Sequence, residues 1–203
     1  SDGEAGEEFG CYVDVSDSTA ITEARWDDGN GTRSGSAYQL DTTTGAELAK
    51  LLPSDGASDE FFGSSVAIEG GYAVVGSVND YPEGSAYLFD VSTGQQLRKL
   101  TANDGEPGDS FGASVSVSEG TILIGAYGDD DTANTAGSAY LFEVATGQQL
   151  SKLLPTDGGN SHRFGEGGAI SSGIAVVGAP GADNGYNAGR AIGQLTPQGV
   201  QPT

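Results

Sequence analysis

The 203-residue chain has no methionine, a single cysteine, tryptophan and histidine, and only 8 lysines and arginines against 29 aspartates and glutamates. Each shortage excludes something. Without methionine, Ser1 is not a translational start, so the sequence is expected to be a processed mature protein or a piece of a longer one. One cysteine excludes an internal disulfide and a Cys-built metal cluster. The net charge of −21 argues against nucleic acid and anionic membrane surfaces as partners, and favours cations, basic partners or solubility. No apolar run approaches the ~20 residues that a membrane-crossing helix needs, and no signal peptide is visible. The lone His162 stands beside Arg163 with no evident nucleophile, so nothing marks a Ser-His-Asp arrangement.

What the chain has in abundance is glycine, 34 residues, and a repeat that the glycines punctuate. Phe-Gly pairs stand at Phe9, Phe62, Phe111 and Phe164, in steps of 53, 49 and 53 residues. Gly-Ser-Ala-Tyr follows at Gly35, Gly84 and Gly137, with the variant Gly189-Arg190-Ala191-Ile192. A turn glycine comes next (Gly45, Gly94, Gly147, Gly199), and then Asp-Gly at Asp55, Asp104 and Asp157. All length variation falls in one loop, between Glu23, Gly76, Gly125 or Gly178 and the next Gly-Ser-Ala-Tyr glycine. The repeats are thus approximately 1–52, 53–101, 102–154 and 155–203.

Each repeat reads as four strands: one after Phe-Gly, one after a tight turn, one over Ser-Ala-Tyr-Leu-Phe, and one after the Thr-Gly turn. Four strands at a period near ~50 residues predict a β-propeller blade. The expected fold is all-β, a single four-bladed β-propeller of four-stranded antiparallel blades. The last blade is expected to be incomplete, because only Val200–Thr203 follow Gly199 and Pro202 is a poor ladder member. Four blades closing on themselves and an open arc pairing with another copy are both consistent with this reading. Lys50, Lys99 and Lys152 recur on the fourth strand, where an edge lysine discourages edge-to-edge pairing. Cys11 aligns with Ser64 and Ala113 and is expected to be a small buried filler.

Phe-Gly, an apolar strand, then Val176–Pro180 (VVGAP) or Leu123–Tyr127 (LIGAY), then Gly-Ser-Ala-Tyr-Leu-Phe together resemble the FG-GAP repeat. That resemblance implies the propeller found at the N-terminus of integrin α chains and in bacterial extracellular proteins. Integrin-type repeats carry a calcium loop, Asp-x-Asp-x-Asp-Gly, between the first two strands. Here that connection is only Glu69-Gly70-Gly71, Ser118-Glu119-Gly120 or Ser171-Ser172-Gly173. These turns do not supply a cage of about six oxygens, so the family's calcium ligands do not carry over.

Candidate sites lie where the variable loop and the Asp-Gly segment leading to the next blade meet on one face. Nineteen of the 29 acidic residues fall in these two loop sets, which marks that face for binding. Asp129, Asp130 and Asp131, with Asp104 or Asp109 from the neighbouring loop, are the candidate calcium ligands. Trp26, Tyr81, Tyr127 and Tyr186 in the variable loops are candidates for stacking on a sugar or anchoring a partner. Asn30-Gly31-Thr32 matches an N-glycosylation acceptor at Asn30.

The expected function is an extracellular, non-enzymatic binding or assembly module, for adhesion or as a subunit of a surface or fibre structure. It would contact proteins, glycans or copies of itself. The alternative is a polysaccharide lyase or hydrolase on the same scaffold. The Thr-Gly-x-x-Leu turns at Thr93–Leu97 and Thr146–Leu150 also faintly resemble pyrroloquinoline-quinone propellers, but the docking tryptophans of that family are missing.

Overall fold

The computed structural model describes residues 8–156, 158–182, 192–196 and 199–202, the last two segments as backbone only. The first sheet is built from β1 (Phe9–Ser16), β2 (Thr19–Ala24), β3 (Ser36–Asp41) and β4 (Glu47–Leu51). The second holds β5 (Phe62–Glu69), β6 (Tyr72–Ser77), β7 (Ser85–Asp90) and β8 (Gln96–Leu100). The third holds β9 (Phe111–Ser118), β10 (Thr121–Ala126), β11 (Ser138–Glu143) and β12 (Gln149–Leu153). The fourth holds β13 (Gly167–Ser171), β14 (Ile174–Gly178), β15 (Ile192–Thr196) and β16 (Gly199–Pro202). Strands neighbour one another in chain order and pair antiparallel in every sheet. No helix among the described residues is long and apolar enough to cross a membrane.

The fourth blade is complete, contrary to the expectation from Pro202. β16 pairs with β15 from Thr196↔Gly199 to Gly193↔Pro202. Proline is tolerated here because it ends an outer strand, where the ladder does not require its missing N–H.

In the first three blades the Phe-Gly pair lies inside the first strand. Phe62 pairs with Ser77 and Ser65 with Gly76, so Gly63 and Ser64 form a bulge, and Gly63 takes φ +98°. The bulge re-aims the strand toward the preceding blade. There Phe62, Phe111 and Phe164 make isolated parallel bridges to Gly35, Gly84 and Gly137. Their N–H groups donate to the carbonyls of Ser34, Glu83 and Ala136 at 2.9, 2.8 and 2.9 Å. Gly84 sits at φ +94°, and a Cβ there would run into the Phe111 backbone. Phe-Gly of one repeat and the glycine of Gly-Ser-Ala-Tyr in the repeat before it are therefore two halves of one joint.

Side chains complete the joint. Phe111 is fully buried, meets Tyr140 at 5.4 Å and Phe142 at 5.8 Å edge-on, and shares a core with Val74, Ala86 and Leu88 of the second blade. Phe62 repeats this with Tyr87 and Phe89 against Ile21 and Ala37 of the first. Phe164, Ile170 and Val177 pack on Leu123 and Leu141 of the third. Near the axis, Ser65 and Ser114 donate to the Gly112 and Gly165 carbonyls of the next blade at 2.8 and 2.9 Å. Both faces of a central strand such as β7 are buried, as the apolar Ser-Ala-Tyr-Leu-Phe run predicted.

Three blade-to-blade interfaces result. Among the described residues, the strands of the first sheet do not share such an interface with those of the fourth. Cys11 is accordingly exposed rather than buried. The position it shares with Ser64 and Ala113 is covered only where a blade precedes it.

Replacing Gly84 by alanine forces a Cβ onto the Phe111 backbone, whereas Gly45, at φ +70°, faces open space. Gly84→Ala is expected to cost a further ~1–3 kcal/mol beyond Gly45→Ala in urea unfolding, as overpacking does.

Candidate functional site on the loop face

The loop between the second and third strands is clamped at both ends. The N–H of Gly35, Gly84 and Gly137 donates to the carbonyl of Asp27, Asp80 and Asp129 at 2.8, 2.6 and 2.9 Å. Those three aspartates are buried, and their carboxylates turn inward. Each accepts a hydrogen bond from the tyrosine of Gly-Ser-Ala-Tyr: Tyr38, Tyr87 and Tyr140 at 2.8, 2.7 and 2.9 Å.

A lysine closes each cluster. Tyr38, Tyr87 and Tyr140 are the cross-strand partners of Lys50, Lys99 and Lys152. Each ammonium lies over its tyrosine ring, at 5.4, 5.4 and 5.3 Å from the centroid. It then reaches Asp27, Asp80 or Asp129 at 2.8, 2.7 and 2.7 Å. These lysines are thus not guards on an exposed edge. They neutralise carboxylates that would otherwise be buried alone, a cost of several kcal/mol each.

The Asp-Gly segments add a second carboxylate. Asp55 accepts from Tyr87 at 2.9 Å and from Lys99 at 2.7 Å. Lys152 gathers Asp104 at 2.9 Å, Asp129 at 2.7 Å and Asp131 at 2.6 Å around one nitrogen. The two loop sets do meet on one face.

The proposed calcium ligands divide accordingly. Asp104, Asp129 and Asp131 converge, but their common focus is the Lys152 ammonium. A donor set centred on a lysine does not fit a hard divalent cation, which needs those oxygens itself. Asp130 is exposed and Asp109 is buried, its carboxylate accepting from the Glu106 N–H at 2.8 Å. Among the described residues, no group of three His, Cys, Asp or Glu side chains is arranged to hold a metal ion.

Charge and burial compete at these carboxylates. Burial alone would raise Asp129, but hydrogen bonds from Lys152, Ser138, the Asp131 amide and Tyr140 outweigh it and hold the carboxyl below its ordinary value. Asp27 and Asp55 are lowered by the same balance. Burial also opposes the Lys152 charge, yet its three carboxylates push its pKa up. Asp109 goes the other way: burial, then the Asp129 and Asp130 charges, raise it to about 6. The signs follow from linkage. The lowered aspartates stabilise the fold above their unfolded pKa, and this is lost as pH falls through their folded values. The raised Asp109 gives stability that is full below its unfolded pKa and is lost as pH rises through about 6.

The candidate partner-binding aromatics differ among themselves. Tyr81 is 83% exposed. Trp26 is partly exposed and stacks on Phe61 at 6.3 Å. Tyr127 lies beneath the Arg163 guanidinium, 5.0 Å from its centroid. Tyr186 lies outside the described residues, as do Asp2, Glu4, Glu7, Asp157 and Asp183 of the acidic loops. Asn30 is exposed, and its side-chain amide donates to the Pro53 carbonyl at 2.8 Å. His162 accepts from the Gly159 N–H at Nδ1, 3.1 Å away.

The FG-GAP repeat model matches residues 1–40, 46–89, 95–142 and 148–191. The chain belongs to the FG-GAP repeat family. The second and third matched segments each run from the outer strand of one blade into the third strand of the next, and the fourth runs from just before β12 to just before β15, so each spans one joint. Among the curated proteins compared, none matches the chain. Among solved structures it is similar to the computationally designed Ika4 protein, with 17% identity, 96% of this chain and 95% of that one covered, and a TM-score of 0.63. It is also similar to the computationally designed Ika8 protein, with 18% identity and a TM-score of 0.57; 93% of this chain covers 55% of that one. At such identities the likeness is one of fold. An FG-GAP propeller is a binding or structural module.

Lys152→Met leaves Asp129 buried without its cation and should cost roughly 3 kcal/mol in denaturant unfolding. Asp109→Asn should stabilise the protein by about 1–3 kcal/mol at pH 8, a gain that shrinks toward pH 4, when unfolding is compared across pH. The melting temperature should be the same in millimolar calcium and in chelator; a rise with calcium would contradict the lysine-centred geometry.

Proposed function

We propose that the chain is an extracellular, non-enzymatic module for binding and assembly, in adhesion or as a subunit of a surface or fibre structure. Its blades form a rigid scaffold, and its partners are proteins, glycans or copies of itself. The observation that carries this reading is the state of the loop face. The carboxylates that would serve as acid and base there are tied up by Lys50, Lys99 and Lys152 and by the tyrosines. Among its aromatics, the face offers outward the ring of Tyr81 and the edge of Trp26. An exposed aromatic on a fixed loop is a suitable anchor for a sugar face or a protein side chain.

Asp109 favours the enzymatic reading, since a buried carboxyl raised to about 6 is the kind of group that acts as a general acid. Its burial and its bond to the Glu106 amide keep it from a substrate.

The test screens immobilised polysaccharides and basic extracellular proteins for binding, with product analysis of the polysaccharides after incubation. Tyr81→Ala should weaken the binding found by about tenfold or more without changing the melting temperature. Shortened or unsaturated polysaccharide chains would overturn the non-enzymatic reading.

A further inference from the structure

Between the outer strands of the second and third blades lies a groove of about 460 Å³. That volume falls within the ~300–1,000 Å³ of small-ligand sites. One wall is the end of β8 and the start of the Asp-Gly loop, with Thr101 and Asn103. The other is the turn into β12, with Gln148 and Gln149. Leu100 and Phe142, each 2% exposed, form the floor.

The hydrogen bonds of the walls decide what the groove presents. The Asn103 N–H donates to Gln149 Oε1 at 2.9 Å. A backbone N–H can bond only the oxygen of that carboxamide, so the Gln149 NH₂ remains as a donor. The N–H groups of Gly147 and Gln148 are taken by the Glu143 carbonyl at 2.7 Å and the Thr146 hydroxyl at 3.2 Å. The side chains of Thr101, Asn103 and Gln148 are exposed and make no hydrogen bond to another described residue. The first joint has the same pin, from the Ser54 N–H to Gln96 at 2.8 Å. There, however, Leu52 and Ser54 stand in place of Thr101 and Asn103. The pin thus belongs to the joint; the added carboxamide of Asn103 does not.

The groove is also neutral, in a chain of net charge −21. No aspartate or glutamate lines it, and the Lys99 ammonium at its edge is paired with Asp55 and Asp80, both at 2.7 Å. A cationic ligand finds no carboxylate there, and an anionic one no unpaired cation. An extended peptide docks through backbone groups, and the N–H groups of Asn103, Gly147 and Gln148 are already engaged. Three carboxamides and a hydroxyl above an apolar floor suit instead the O–H groups and the C–H face of a sugar ring.

We propose that this groove is a subsite for a neutral sugar unit of a glycan chain, hydrogen-bonded by the carboxamides of Asn103, Gln148 and Gln149. The loop that begins at Asn103 continues to Gly105, against which the Glu83 side chain lies, and to Gly108, whose N–H donates to the Pro82 carbonyl at 3.2 Å. The groove and the exposed Tyr81 ring therefore flank one loop. The subsite rests on the binding reading above and names its ligand class.

The test is titration calorimetry of the 203-residue chain with uncharged oligosaccharides built from glucose, mannose, galactose or N-acetylglucosamine, beside anionic polysaccharides and basic peptides. An uncharged oligosaccharide is expected to bind, with an affinity that added salt leaves unchanged. Gln149→Glu keeps an oxygen for the Asn103 N–H and removes the donor that faces the groove. It should weaken that binding about tenfold, as should Asn103→Ala and Gln148→Ala. The two alanine variants lose only exposed side chains, so their melting temperature should not move. Binding that Tyr81→Ala weakens but all three groove substitutions leave intact overturns the subsite and spares the binding reading. So does binding confined to basic peptides. Affinity for anionic polysaccharides alone, falling with salt, overturns the neutral-sugar assignment. A chain that binds none of these probes overturns the subsite and the binding reading together.

Discussion

The joint between Phe-Gly of one blade and the glycine of Gly-Ser-Ala-Tyr in the blade before it is the constraint on which the other features depend. It requires two glycines at positive φ, a bulge that aims the phenylalanine backward, and a backbone contact too close for a side chain. A phenylalanine with its amide bonded to the preceding blade cannot slip in register without losing its pocket. The blades are therefore fixed in spacing as well as in contact, and a chain with only 8 basic residues needs little else to set their order.

The charge network is built on that frame. A face with so many carboxylates would repel itself if all were solvated side by side. In each of the first three blades the structure instead sinks one aspartate and covers it with tyrosine and lysine from the paired outer strands. Among the described residues, the Asp-Gly loop of the preceding joint lends a second carboxylate to the ammonium of Lys99 and of Lys152. The few cations of an acidic protein are thus spent where burial makes an unpaired charge most costly. The remaining carboxylates stay in water, where salt screens their mutual repulsion.

Much of the fold was legible, since the repeat fixed the number of blades, the four strands in each and the loop that varies. What the pattern did not show was geometry across strands. Lys50, Lys99 and Lys152 stand twelve residues after Tyr38, Tyr87 and Tyr140, a regularity visible in the sequence. The same register places Asp27, Asp80 and Asp129 four residues after Glu23, Gly76 and Gly125, so the cluster could have been assembled from three constant spacings. Cys11 was misplaced because aligned positions share an environment only if both have a neighbour. Pro202 misled because the rule against proline in a ladder applies to interior strands. At the candidate site, the convergence of Asp104, Asp129 and Asp131 was legible, but not the lysine at their centre.

If the joint governs the fold, the amides at its heart open only when the blades come apart. Native-state hydrogen exchange at the Phe62, Phe111 and Phe164 amides tests this directly. A single slow rate common to all three, equal to that of global unfolding, is what this architecture predicts. Separate, faster rates typical of the surrounding loops would show that each joint opens alone and that the blades are held together by something else.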